Sequence, residues 1–438
     1  MRRVCLVVLV SVVLSAPAAA QSNVEVNAGL QFDFLSPGAR SLAMGGAFIG
    51  NADDATAAFV NPAGLRAISR KEVSIEGRGR NFAFPAVVRG RLGVATGQGV
   101  DTISGLQDVE QEQDAAGLSF LSFAFPRPRW AVAAYRHELA NFETGVVTEG
   151  FFFDTTPSRR RRPITGFMDL NVTSYGVSGS FNITPTLSLG AGLAVYDFSM
   201  DSRTDRFFVQ RPGANRDFYA PADYSAENLA SYQHQVGDDT TAGVNVGALF
   251  APNRMFQVGV VFRQGPDFDL RVTNRSASPN EPGEEIDRQG QFNVPHVLGV
   301  GAAIRPMTNV AISVDIARVG YSRLTEGFID IFSLAESPTN ESGLYSIDDA
   351  TEFHAGAEYV FGNEVPIAVR AGYWLDPEHG LVYNGALIDE QQVFRDRDED
   401  QHHFTFGGGL VFGRFEVNAG GDVSDRTTIF SLSGVVRF

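Results

Sequence analysis

A chain of 438 residues with 35 Lys and Arg against 51 Asp and Glu carries a formal net charge of −16. That balance argues against nucleic acid as a partner, because phosphate backbones are held by excess cation. The single cysteine, Cys5, sits in an N-terminal leader, so the rest of the chain has no thiol for a disulfide, a nucleophile or a zinc ligand.

The leader comes first. Arg2 and Arg3 precede the apolar run Val4 to Leu14, and Ala18-Ala19-Ala20 offers a small-residue cleavage site before Gln21. Residues 1–20 read as a secretory signal peptide. The run is too short to cross a bilayer as a helix, and no later stretch reaches the roughly eighteen apolar residues such a helix needs. A mean hydropathy of −0.06 looks soluble, yet a transmembrane barrel hides its membrane signal by alternation. Phe 35 against Trp 2 suggests a large apolar surface. Lys71 is the one lysine, which genomic base bias explains.

The stretch from Ser36 to Leu65 alternates like neither a strand nor a long amphipathic helix. Its small residues let backbone pack closely, and Pro62 stops any helix at or before Asn61. It reads as a compact, tightly turned segment buried against something larger. Gly38-Ala39-Arg40, Gly45-Gly46-Ala47, Ala52-Asp53-Asp54-Ala55 and Asn61-Pro62-Ala63 follow in order. This run resembles the N-terminal hatch of the FadL family, outer-membrane transporters of long-chain fatty acids and other hydrophobic molecules. The resemblance implies a β-barrel of fourteen strands plugged by a hatch, in the outer membrane of a Gram-negative cell, with no energy source and no cofactor. It divides the chain into a leader at 1–20, a hatch at 21–70 and a barrel at 71–438. Asp53, Asp54, Asn61, Pro62 and Ala63 become the candidate gating residues. Asp53 and Asp54 are expected to bond hatch N–H groups or pair with lumen arginines, since an unpaired carboxylate inside is costly. The bland reading makes the same stretch a cap that only stabilises the barrel.

Lys71 to Gly97 is strand-like but broken by Pro85 and glycines, and holds one strand or two. Beyond it, period-two segments recur. Phe404, Phe406, Leu410 and Phe412 fall on one face, with Thr405, Gly407 and Gly409 on the other. Val310, Ile312, Val314 and Ile316 alternate with Asn309, Ser313 and Asp315. Tight turns are expected near Pro126, Pro185, Pro252, Pro306, Gly362 and Gly413. Long connectors are expected over 141–169, 201–239, 273–290, 321–350 and 376–400. Alternating short and long connectors are the habit of membrane barrels. Walking back from Phe438 gives thirteen strands to Gly117, and one more from Lys71 to Gly97 makes about fourteen. Asn293-Val294-Pro295-His296 and the run Asp400 to Gly407 add weaker family echoes. The terminal Phe438 resembles the signal read by the barrel-assembly machinery, which makes that machinery an expected partner.

Nothing assembles into a catalytic site, so an enzyme is not expected. None of the seven histidines stands in HExxH spacing, and no GxSxG elbow lies between a strand and a helix. Asp396, Asp398 and Asp400 lack the glycine and distal glutamate of a calcium loop and read as a solvated loop. Arg159 to Arg162 suit lipopolysaccharide phosphates, a substrate carboxylate, or plain solvation. Phe151, Phe152 and Phe153 either pack against other loops or form an apolar capture groove. With Arg159 and Arg160 they are the candidate residues for ligand capture. Two functions follow: passive transport of a hydrophobic small molecule, or a non-transport barrel serving a secretion or conjugation system. An apolar lumen would favour the first, a filled polar interior the second.

Overall fold

A computed structural model describes residues 34–154, 159–277, 283–326, 344–362, 364–395 and 399–438. The leader, the first part of the expected hatch, and Asp396 and Asp398 lie outside the described residues. After the hatch come fourteen antiparallel wall strands. They are β1 (Glu72–Arg91), β2 (Gly105–Pro126), β3 (Trp130–Thr148), β4 (Ile164–Asn182), β5 (Leu187–Phe207) and β6 (Leu229–Phe250). β7 and β8 each come in two segments, Phe256–Arg263 with Asp267–Ser276, and Glu285–Asn293 with Val297–Met307. β9 (Val310–Val319), β10 (Ala350–Phe361), β11 (Ile367–Asp376), β12 (Gln401–Phe412), β13 (Phe415–Val423) and β14 (Thr427–Arg437) complete the wall. β1 pairs with β2 on one side and with β14 on the other, Glu72 facing Arg437 and Phe82 facing Thr427, so the sheet closes. Closure leaves no free edge for hydrocarbon to meet.

Burial is inverted relative to a soluble domain. Phe404 is 63% exposed and Phe430 58%, while Asp422 and Asn61 are at 0%. Outward alternate residues are apolar, and inward ones carry hydroxyls, amides and charges, as a lipid-facing wall around a polar interior requires.

The tight turns stand where the proline and glycine pattern put them, and Lys71 to Gly97 holds one wall strand, β1. Three connectors are shorter than expected. β3 runs on to Thr148 and β4 starts at Ile164, β5 reaches Phe207 and β6 starts at Leu229, and β7 reaches Ser276. In these upper stretches the outward face turns polar while the inward face becomes apolar. On β3, Phe142 and Val146 are buried and Glu143 is exposed; on β5, Asp197 is exposed beside buried Tyr196 and Phe198. The strands rise above the bilayer, where the alternation of a soluble sheet takes over, and polarity alone made them read as loops.

The hatch lies inside the barrel. It contains two single-turn helices, α1 (Ala39–Leu42) and α2 (Ala57–Val60), and a 3₁₀ segment at Pro62–Ala67. Wall glycines let it approach. A Cβ at Gly190 of β5 would stand 2.2 Å from the Ala63 nitrogen, one at Gly247 of β6 2.1 Å from Asn61 Oδ1, and one at Gly259 of β7 2.4 Å from the Ile49 carbonyl oxygen. Three neighbouring strands thus present bare backbone to the Asn61-Pro62-Ala63 turn.

The ladder fails in two places. β2 meets β3 only from Phe120–His137 down to Pro126–Ala131. Above that level β2 stays on β1 while β3 follows β4, with a bulge at Glu138 to Ala140, so the wall parts between β2 and β3. β7 and β8 break at the same level, at 264–266 and 294–296, and Arg323 covers both breaks by donating to the Gly265 and Val294 carbonyls at 3.4 and 3.2 Å.

Replacing Gly190 or Gly247 by valine is expected to displace the hatch and leave the wall intact. Heat-modifiable mobility on gels should stay normal while single-channel conductance rises. Unchanged conductance would mean that these glycines do not seat the turn.

Candidate transport site: hatch, lumen and outer cleft

Asn61 is wholly buried and does three jobs with one side chain. Its Oδ1 accepts from the Ala63 N–H at 3.2 Å, and its Nδ2 donates to the Ile49 and Ala248 carbonyls at 3.1 and 3.4 Å. Pro62 opens the 3₁₀ segment, where its missing N–H leaves nothing unsatisfied. Ser188 of β5 donates to the Ala63 carbonyl at 2.9 Å. The turn is therefore tied to its own segment and to two wall strands.

The acid pair is tied to arginines. Asp53 meets Arg40 at 2.5 Å and Arg305 of β8 at 2.8 Å; Arg40 also reaches Asp54 at 3.4 Å and Glu358 of β10 at 3.0 Å. Burial works to lower the Arg40 pKa, but Asp53, Glu358 and Asp54 overcome it and hold the guanidinium well above its usual value. Burial raises Asp54 above the ordinary carboxylate value, with Arg40 opposing and Asp53 adding to the rise. Asp54 also accepts from the Thr56 N–H at 3.0 Å.

Other tethers gave only a faint signal in the sequence. Asp315, on the polar face of β9, accepts the Ile49 N–H at 2.6 Å; His354 of β10 donates through Nδ1 to the Gly45 carbonyl at 2.7 Å; Glu76 of β1 accepts the Gly38 N–H at 2.7 Å. Alternation marks these side chains as inward-facing, but not as partners of the hatch.

Above the hatch the lumen becomes apolar. One continuous cluster of buried residues includes Phe59 of α2, Phe120, Leu139, Phe142, Leu170 and Val146, with Phe198, Phe268 and Phe292 stacked at centroid distances of 4.5 and 5.4 Å. At its outer end Val146 enters the lining of a cleft of about 930 Å³, its open mouth included. Phe82, Phe84, Phe151, Leu381 and Phe394 supply its apolar walls, with Arg161, Arg395 and Arg426 among its polar lining. These three arginines carry acids already: Arg161 meets Glu390 at 2.9 Å and Asp389 at 3.2 Å, Arg395 meets Asp108 at 3.0 Å, and Arg426 pairs with Glu399. A second cavity, of about 470 Å³ with its open mouth included, lies at the β2–β3 gap between Arg78, Arg80, Ser119, His137 and Leu139.

The residues expected to capture ligand divide. Phe151 is buried and lines the cleft. Phe152 turns away onto Tyr219, at a centroid distance of 5.1 Å, and beneath Arg160 at 5.2 Å. Phe152 and Phe153 pair with Arg160 and Arg159 in a two-residue hairpin, where Phe153 is half-buried and Arg159 exposed. Arg160 donates to the Ala220 carbonyl at 2.9 Å, and burial pushes its pKa down. Within the arginine run it is Arg161 that reaches the cleft. Neighbours in a short hairpin point opposite ways, so adjacency alone does not select the lining residue.

Asp53→Ala removes one carboxylate from two arginines and is expected to loosen hatch docking by about 1–3 kcal/mol. Asp54→Asn removes a buried charge and should cost far less. Proteolysis of the hatch in inserted barrels, compared between the two variants, measures the difference. Equal protection would remove the special role of Asp53.

Residues 18–380 match the sequence profile of the family described as outer membrane protein transport protein (OMPP1/FadL/TodX). Among curated proteins none is similar enough in sequence to count as a relative. The fold is similar to that of a Pseudomonas aeruginosa FadL homologue, with a TM-score of 0.61 at 12% identity over 93% of this chain and 100% of that one. It is also similar to the P. putida toluene transporter TodX (TM-score 0.58, 16% identity, 93% and 99% covered). The Ralstonia pickettii toluene transporter TbuX is a third (TM-score 0.57, 15% identity, 93% and 99% covered). With a hatch-plugged barrel of fourteen strands, an apolar lumen and a profile match over most of its length, the chain belongs to the FadL/TodX family of outer-membrane transport proteins.

Proposed function

We propose that the protein is a passive conduit for hydrophobic small molecules, aromatic or fatty-acid-like, across the outer membrane. The observation that carries this reading is the continuous cluster of buried apolar side chains that joins Val146, beside Phe151 in the cleft, to Phe59 on the hatch. Lipopolysaccharide bars such molecules from direct passage. Burial of apolar area in the cleft supplies the free energy of capture, about 25 cal/mol per Å². The cargo then passes along the lumen to the hatch. The gap between β2 and β3 gives a sideways exit, and movement of Asn61-Pro62-Ala63 gives a path toward the periplasm. No catalysis is part of this function. TodX and TbuX, whose folds this chain shares, are toluene transporters. The apolar lumen weighs against an accessory role in secretion or conjugation, which would not need one.

The leader at 1–20 exports the chain, 21–70 plugs it and 71–438 forms the wall. Outer-leaflet lipid and lipopolysaccharide are its expected surroundings, and Arg159 is exposed on the hairpin between β3 and β4. Phe438, 62% exposed beyond β14, is the residue offered to the assembly machinery.

Uptake of labelled toluene and dodecanoate by cells lacking their own hydrophobic transporter tests the function. Expression of this chain should raise uptake of at least one of them, and replacing Asn61-Pro62-Ala63 by three glycines should alter uptake or leak in a folded barrel. No gain with either compound would refute transport. Deleting Phe438 should leave export intact and impair insertion; normal heat-modifiable mobility of the truncated chain would contradict its recognition role.

A further inference from the structure

We propose that the periplasmic rim of the barrel is a binding surface for the headgroups of anionic phospholipid in the inner leaflet, densest at the feet of β1 to β3. The short turns of an outer-membrane barrel face the periplasm. Among the described residues, those turns and the chain just before β1 expose Arg70, Lys71, Arg127, Arg129, Arg254 and Arg414, against one exposed acidic side chain, Glu364. This excess of cations stands in a chain whose net charge is −16. The opposite end is the reverse: in its upper half β2 alone exposes Asp108, Glu110, Glu112 and Asp114. Among the described residues none of the six cations is paired with an acid. Arg437, set within β14, is different, for it meets Glu416 at 2.7 Å and Glu72 at 3.1 Å. Exposed, unpaired cations at the level of the headgroups are drawn to anionic lipid.

The cations are set against the aromatic edge of the wall. Lys71 and Arg127 both lie over the ring of Phe125, at 4.9 and 4.6 Å from its centroid, and Arg414 lies over Phe415 at 5.2 Å. Trp130, at the foot of β3, is 42% exposed and stands 6.3 Å from Phe125 between ring centroids. Arg254 is followed by the exposed Met255 and Phe256. Rings at this level sit among the headgroups, with an apolar body toward the chains, and the cations over them meet the phosphates. Arginine offers a phosphate a planar fork and lysine a point charge. The placement favours lipid over an acidic protein. The cations occur at the β2–β3, β6–β7 and β12–β13 turns, around the circumference of the wall, where lipid encircles the barrel and a globular partner would touch one side. They are closest together where the chain before β1 runs beside the end of β2, Glu72 facing Ala124, which brings Arg70 and Lys71 to the turn that carries Arg127 and Arg129.

The chain carries its own reporter, for its two tryptophans are Trp130 at this rim and Trp374, which is 6% exposed. The folded protein is placed in phosphatidylcholine vesicles that contain, at equal mole fraction, either dibrominated phosphatidylglycerol or dibrominated phosphatidylcholine, and quenching of tryptophan fluorescence gives the relative affinity of the two lipids. Wild type should favour phosphatidylglycerol about fivefold or more at low salt. Added sodium chloride should bring the ratio toward unity. The combined variant Arg70→Gln, Lys71→Gln, Arg127→Gln and Arg129→Gln should lose most of the preference while keeping heat-modifiable mobility. The wild-type comparison and its salt dependence decide even if the variant fails to fold. Equal quenching by the two lipids in wild type overturns the lipid surface, also where an acidic protein is then found on the same rim. A preference that persists in the folded variant overturns the assignment to the feet of β1 to β3.

Discussion

Everything in this molecule depends on the ladder between β1 and β14. A strand edge left open in hydrocarbon would expose a row of N–H and C=O groups with no water to meet them, each costing several kcal/mol in the range of about 2–7. Closure removes that edge and at the same time encloses a lumen. At the level of the hatch the lumen then inherits the polar half of the alternating strands, which is why the hatch finds so many hydrogen-bonding partners waiting for it.

The places where the ladder fails are the informative ones. Between β2 and β3, and at the paired breaks of β7 and β8, backbone pairing is given up at about the level where the outward face changes from apolar to polar. At the second break Arg323 supplies the donors that the interrupted strands leave wanting. At the first, a cavity remains at the parting. One interruption is bridged by a side chain from a neighbouring connector, and the other leaves a cavity in the wall.

The hatch is held by charge and by the absence of side chains together. Arg40, Asp53, Arg305 and Glu358 make a connected network: Arg40 meets both acids, Asp53 meets both arginines, and Glu358 also meets Arg370. Such a network fixes one arrangement more than it adds stability, because desolvation offsets much of the attraction. Gly190, Gly247 and Gly259 let that arrangement sit directly on wall backbone. The apolar half of the lumen begins only above it, so the plug and the cargo path use different physics within one barrel.

The sequence by itself determined the parts whose physics is local. A leader is a composition, a lipid-facing strand is an alternation, and a turn is a proline or glycine, so the barrel, the positions of its tight turns and the strand count were all legible. The order of small residues, acids and Asn61-Pro62-Ala63 was enough to place the hatch in a family. Tertiary structure decided the rest. The upper reaches of β3 to β7 read as connectors because, above the bilayer, polarity no longer separates a strand from a loop. The turn of the chain at 151–161 decided that Phe151 and Arg161 line the cleft while Phe152 and Arg160 pack against each other. Asp53 and its two arginines, and Asp315 with the Ile49 N–H, come from stretches far apart in the chain. Their meeting depends on the register of a closed sheet, and register is a property of strand pairs that no single strand carries.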